Sequence, residues 1–208
     1  MKDMSKTLYY AHDPMCSWCW GFRPAWEKLQ ALLPDTIQVV KLLGGLAPDS
    51  EQPMPQSMQQ YLQQTWLQIE QRIPGTRFNH AFWQQCQPRR STYPACRAVL
   101  TAALWHRADA MTEAIQHAYY LEAKNPSDEA TLVGLAKSLA IDPVAFTERL
   151  SSEQIRIELA RQLDCCQELG VRGFPSLVLQ QGSKKLPVSI HYTDPQAMLE
   201  QCTVLLGD

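Results

Sequence analysis

Apolar residues along this chain follow two different spacings, and the switch between them divides it. Thr7 to Ala11 is a short, aromatic-rich run of strand length, closed by the turn signal His12-Asp13-Pro14. Cys19, Phe22, Trp26, Leu29 and Leu33 then recur at the steps of a single helix face. Pro24 falls inside that pattern and is expected to kink the helix, because it removes a backbone donor. Thr36 to Leu43 reads as a second strand, stopped by Gly44-Gly45. Strand, helix and strand in this order predict a βαβ unit with parallel strands and a right-handed crossover. Cys16, at the junction of the first strand and the helix, is then placed at the edge where open α/β sheets bind ligands.

From residue 53 to about 170 the period is helical throughout. Met58, Leu62, Trp66, Ile69 and Ile73 mark one amphipathic helix, ended by Pro74-Gly75. Ser91-Thr92 offers an N-cap and Pro94 a first-turn proline for a second helix, running to about His106. Further helices are predicted over about Ala108–Ala123, Asp128–Ala140, Pro143–Leu150 and Ser152–Leu169, the last ended by Gly170. Strand signals return at Ser176–Gln180 and Lys185–Ile190, joined by a hairpin turn at Gln181-Gly182-Ser183-Lys184. Pro187 puts the second of these strands at a sheet edge. A last helix is expected from Pro195. The predicted class is α/β: a βαβ…ββα framework, residues 1–52 and 170–208, with an all-helical insertion over residues 53–169.

Composition narrows the function. The chain has 208 residues, 45% of them hydrophobic and 19% charged, with a formal net charge of -2. That balance carries no electrostatic footprint for nucleic acid, and Arg89-Arg90 and Lys184-Lys185 read as solvated surface. No apolar run has the length of a membrane span, and the first residues show no apolar signal core, so the chain reads as cytoplasmic. The 7 cysteines are odd in number in a long chain, which argues against a disulfide framework.

The candidate chemistry is Cys16-Ser17-Trp18-Cys19. A C-x-x-C at a helix start places the first sulfur near unpaired backbone N–H groups and the positive end of the helix dipole, which favour thiolate, the attacking species. The second sulfur is close enough to resolve a mixed disulfide. Cys16 is thus read as the exposed nucleophile and Cys19 as the buried resolving thiol. The competing reading is a structural pair or half of a zinc site. Zinc sites use four ligands, usually from two paired motifs, and no second pair stands in the sequence, so no metal and no cofactor is expected. His12 and Asp13 are candidates to move the Cys19 proton, though residues at such a turn more often cap the chain. One of the adjacent Cys165 and Cys166 should be buried on a helix. Gly173-Phe174-Pro175 stands directly before a strand.

The chain resembles the DsbA-type branch of the thioredoxin superfamily, and within it the FrnE-like group of predicted disulfide isomerases. The resemblance is carried by Asp13-Pro14-Met15-Cys16-Ser17-Trp18-Cys19-Trp20-Gly21-Phe22, by Ser91-Thr92-Tyr93-Pro94-Ala95-Cys96-Arg97-Ala98, and by Gly170-Val171-Arg172-Gly173-Phe174-Pro175-Ser176. It implies a thioredoxin-like fold, a cis-proline at Pro175 acting beside Cys16 and Cys19, and a substrate surface formed by Ser17, Trp18, Gly173 and Phe174, where the Phe174 backbone pairs with an extended segment. It implies protein or peptide thiols and disulfides as partners, with glutathione as a further candidate. Two departures, the missing export signal and a Ser-Trp dipeptide without histidine, point to a reductase or isomerase rather than a dedicated oxidant. The alternative is a glutathione-dependent transferase or isomerase of the kappa-class or hydroxychromene-carboxylate isomerase type, which typically carries serine where Cys16 stands.

Overall fold

The computed structural model describes residues 6–206; the first five and last two residues of the expected segments lie outside the described residues, as does the side chain of Leu206. Four strands, β1 (Lys6–His12), β2 (Ile37–Leu43), β3 (Ser176–Gln181) and β4 (Lys184–Val188), form one sheet in the order β2-β1-β3-β4. β1 runs parallel to β2 and antiparallel to β3, with Tyr10 opposite both Lys41 and Leu177. The first two strands therefore come from the predicted βαβ unit, and the C-terminal hairpin adds to its other side. β4 ends the order, and Pro187 sits on it opposite Val178, a position that tolerates a missing backbone donor.

Side chains alternate across the central strand. Leu8 and Tyr10 meet Phe22, Trp26 and Leu29 of helix α1 (Ser17–Leu32), together with Met198 and Cys202 of the last helix, α9 (Pro195–Leu206). α1 continues through Pro24 without ending. On the other face, Ala11, Leu42 and Val178 pack on Cys166 and Leu169, at the end of helix α8 (Glu153–Glu168). Gln162 of α8 also accepts a hydrogen bond from the Leu43 amide at 2.9 Å. α8 thus covers the second face of the sheet, although the expected boundary at residue 169 groups it with the insertion; its apolar stripe, not its place in the chain order, decides where it packs.

The remaining helices are α2 (Gln56–Arg72), α3 (Phe82–Gln85), α4 (Tyr93–Ala103), α5 (Ala108–Tyr120), α6 (Glu129–Ser138) and α7 (Pro143–Leu150). They surround a core centred on Trp66, which is 0% exposed and ringed by Phe78, Phe82, Trp83, Tyr119 and Tyr120 at centroid distances of 4.8–5.9 Å. α1 lies against α2 where Gly21 faces Ile69 and Ile73; a Cβ at Gly21 would come within 2.6 Å of the Ile73 side chain. Arg89, expected with Arg90 as solvated surface, is only 18% exposed. It donates to the Ser127 carbonyl at 2.6 Å and to Asp128 at 2.7 Å, because the loop before α6 folds back over it.

Candidate active site

β1 delivers the chain to the site and a tight turn redirects it. The Cys16 amide donates to the Asp13 carbonyl at 3.0 Å, and the Met15 amide to the Asp13 carboxylate at 2.7 Å. Cys16 is the N-cap residue of α1, with φ -82° and ψ 116°, and its sulfur accepts the Cys19 amide at 3.4 Å. Sulfur here takes the place that a serine or aspartate oxygen usually holds at a helix start. On the opposite side of the chain the Phe174–Pro175 peptide bond is cis. The Cys16 thiol donates to the Phe174 carbonyl at 3.4 Å. One sulfur thus meets a backbone donor from α1 and a backbone acceptor from the start of β3.

Both cysteines are free thiols. Cys19 is 0% exposed, and burial pushes its thiol well up, with Cys16 next to it adding in the same direction. Cys16 itself is 5% exposed, so the expected open nucleophile is largely covered. The Phe174 carbonyl lies over it, and the Tyr192 phenol stands close enough to feel both sulfurs. Tyr192 packs its ring against Trp18 at 5.3 Å and Phe22 at 5.8 Å. It sits in the irregular stretch before α9, where no periodicity marks it, and the sequence reading missed it. Tyr10 is the other unforeseen neighbour: burial, then the charges of Cys19 and Cys16, push its phenol well up.

The remaining candidates fall into two groups. Trp18 is half-buried, Gly173 exposed and Phe174 half-buried, all at the rim, while Pro175 is buried. The Phe174 ring lies on Gly44 so closely that a Cβ there would fall 1.9 Å from a ring carbon. Only glycine permits that approach, and it sets the Phe174 backbone beside Cys16. Ser17, in contrast, turns inward: it is 8% exposed, and its hydroxyl accepts from the Trp66 indole at 2.9 Å. Trp20 also joins the helical lobe, stacking on Tyr120 at 5.6 Å and donating to the Arg77 carbonyl.

Asp13 is one of the points where the two halves join. It is 0% exposed and accepts from the Met15 amide, the Leu46 amide at 2.7 Å, the Thr92 hydroxyl at 2.6 Å and the Cys96 thiol at 3.6 Å. Burial raises its carboxyl above the usual range while these donors pull it down. Thr92 occupies the N-cap position of α4 but makes no cap bond: its hydroxyl accepts from the Ala47 amide at 3.1 Å and donates to Asp13. His12 is pushed down to about 4, by burial first and by Lys41 second, so its ring is neutral at physiological pH. Among the described residues no group of three or more His, Cys, Asp or Glu side chains is placed to hold a metal ion, and no helix is long and apolar enough to cross a membrane.

Known proteins share this fold. A structure of a candidate protein disulfide isomerase from Nitrosomonas europaea is similar over 98% of this chain and 100% of its own, with 25% identity and a TM-score of 0.82. The cytosolic disulfide reductase DsbM from Pseudomonas aeruginosa, also solved with GSH, matches 97% of both chains with 24% identity and a TM-score of 0.73. The ClpXP adapter protein SpxH of Bacillus subtilis (strain 168) is 24% identical over 232 residues, covering 100% of this chain and 75% of that protein. The DSBA-like thioredoxin domain matches residues 9–201, and the chain belongs to that family.

Proposed function

We propose that this protein is a thiol–disulfide oxidoreductase of the reductase or isomerase type, acting on protein or peptide disulfides through Cys16 and Cys19. The observation that carries the reading is the position of the Cys16 sulfur: it accepts the Cys19 amide at the start of α1 and lies 3.4 Å from the Phe174 carbonyl, with Cys19 beneath it. The Cys16 thiolate attacks one sulfur of the substrate disulfide and forms a mixed disulfide, and the other substrate sulfur leaves and takes up a proton. Cys19 then loses its proton and attacks the Cys16 sulfur. The Cys16–Cys19 disulfide forms and the second substrate thiol is released. The substrate gains two electrons and the enzyme pair loses two. In this reading two thiols of the glutathione class restore the dithiol, becoming a disulfide themselves.

An extended substrate segment would pair with the Phe174 backbone across Trp18 and Gly173, with Pro175 holding that backbone in place, so recognition would rest on main-chain contacts more than on side chains. The high resting position of the Cys19 thiol fits its order in the sequence of events, since it must stay protonated until the mixed disulfide forms. We place the protein in the cytoplasm, where DsbM acts. A glutathione transferase reading has less support, because Cys19 would then have no task.

The test is a pair of variants. Cys16→Ser should abolish reduction of a disulfide substrate. Cys19→Ser should hold mixed disulfides through Cys16, visible by mass spectrometry after acid quenching. An active Cys16→Ser protein, or a Cys19→Ser protein that traps nothing, would refute the assignment. Titration of the pair against glutathione then separates reductant from oxidant.

A further inference from the structure

One buried charge stands beside the cysteine pair, held only by neutral groups. Asp13 is 0% exposed, and its backbone carbonyl holds the Cys16 amide at 3.0 Å. Its carboxylate accepts from four donors: the Met15 and Leu46 amides, the Thr92 hydroxyl and the Cys96 thiol. A protonated carboxyl would bring one more hydrogen to oxygens that already receive all of these, so the arrangement fits the ionised form. Buried anions are ordinarily paired with cations. One that is not, next to a reactive centre, points to a task for its charge.

The same contacts remove the task expected of Asp13 from the sequence. With four donors on two oxygens, the carboxylate has no free lone pair for the Cys19 proton. What it exerts on Cys19 is a field. Burial raises the Cys19 thiol first and the neighbouring Cys16 next; the Asp13 amide then lowers it, and the Asp13 charge raises it. Backbone and side chain of one residue act on the same sulfur in opposite directions.

The charge matters at the mixed disulfide, on the reading that Cys16 and Cys19 are the reacting pair. Two reactions compete there. In one, Cys19 loses its proton and attacks the Cys16 sulfur. The Cys16–Cys19 disulfide forms, the substrate sulfur leaves and takes up a proton, and the substrate is reduced. In the other, a second thiolate of the substrate attacks the substrate sulfur. A new substrate disulfide forms, Cys16 leaves as its thiolate, and there is no net transfer of electrons. The departing Cys16 has the Cys19 amide as a donor. The Cys19 thiolate, needed only for the first reaction, must form at 0% exposure against the Asp13 charge.

We propose that Asp13 is a positioning residue whose buried carboxylate delays the Cys19 attack, so that the mixed disulfide on Cys16 persists long enough for a substrate with several cysteines to rearrange. The substrate class is then a protein with mispaired disulfides rather than a small disulfide.

The test uses the full chain in its reduced form, first with a peptide disulfide and acid quenching, then with scrambled ribonuclease, which can rearrange. Asp13→Asn keeps the Asp13 amide and removes the charge. Its mixed disulfide should decay about three- to tenfold faster than the parent's, the size expected for one neighbouring charge. Its ratio of rearrangement to reduction should fall by a similar factor. Asp13→Ser also removes the charge, while its hydroxyl can still accept from the Met15 amide; it keeps the test open if the asparagine variant folds poorly. Thr92→Val loosens the same seam but leaves the charge, so its mixed disulfide should live as long as the parent's. An unchanged or longer lifetime in the charge-free variants, or an equal shortening in Thr92→Val, would overturn the proposal and leave Cys16 and Cys19 as the reacting pair. A parent that forms no mixed disulfide would remove that pair, and this inference with it.

Discussion

The sheet half and the helical lobe reach their order by different means. In the sheet half, backbone ladders fix the register of β1, β2, β3 and β4, and the side chains on the face toward α1 and α9 are mostly aliphatic: Leu8, Leu177, Leu179, Val188 and Ile37. In the lobe no ladder joins one helix to the next. Its centre is instead a set of rings packed edge and face around Trp66. Aromatic pairs have preferred geometries, so they supply the specificity that backbone hydrogen bonds supply in the sheet. The consequence is unequal sensitivity. A side chain lost from a strand leaves the ladder in place, whereas the central ring lost from the lobe removes what positions several helices at once.

The sharpest way to break that comparison is Trp66→Ala. It should cost about 3–5 kcal/mol, the usual range for deleting a fully buried tryptophan. Amide exchange should accelerate in α2, α4 and α5 before it does in β1 and β3. Equal loss of protection in both halves would show that they unfold as one unit and that the contrast is only one of composition.

Acid tests the sheet side through His12. Its folded value of about 4 lies below its ordinary 6.5, so between those limits the unfolded chain binds the additional proton. Stability contributed by the neutral ring is therefore complete above about pH 6.5 and is lost as pH falls toward 4, by about 3 kcal/mol in all. Asp13, raised by burial, works in the opposite sense in the acid range, so the informative quantity is the difference between the parent and His12→Gln. Urea unfolding at several pH values should give a flatter profile for His12→Gln. Identical profiles would remove His12 from the account.

The smallest change sharpens the seam between the halves. Ser17→Ala leaves the Trp66 indole N–H buried without its acceptor and should cost about 1–2 kcal/mol. The tryptophan emission should shift as well. If neither moves, the lobe does not depend on the active-site turn for its packing.

Legibility in the sequence followed the range of the interaction. β1, α1 and β2 were readable because alternation and the helix period are local, and their edges moved by only a residue or two. The single turn α3 was not, since it is too short to show a period. The Asp13 contacts were not readable either: Thr92 and Cys96 lie 79 and 83 residues away, and nothing in a serine- and threonine-bearing helix start says that one hydroxyl will bridge the Ala47 amide and a distant carboxylate instead of capping. Tyr192 stands in a stretch without pattern. Gly173-Phe174-Pro175 stands out by its place directly before a strand and gains a role only through a family resemblance, and the close contact of the Phe174 ring with Gly44 has no signal at all in either segment.

The separation between Cys16 and Phe174 also has a consequence in time. They are 158 residues apart. At the ordinary pace of synthesis, about 5–20 residues per second, the thiol pair leaves the ribosome roughly ten to thirty seconds before the segment that covers it exists. During that interval Cys16 lacks both the Phe174 carbonyl above it and the Tyr192 ring beside it. The newborn chain is therefore open to any passing oxidant in a way that the finished protein, with Cys16 at 5% exposure, is not.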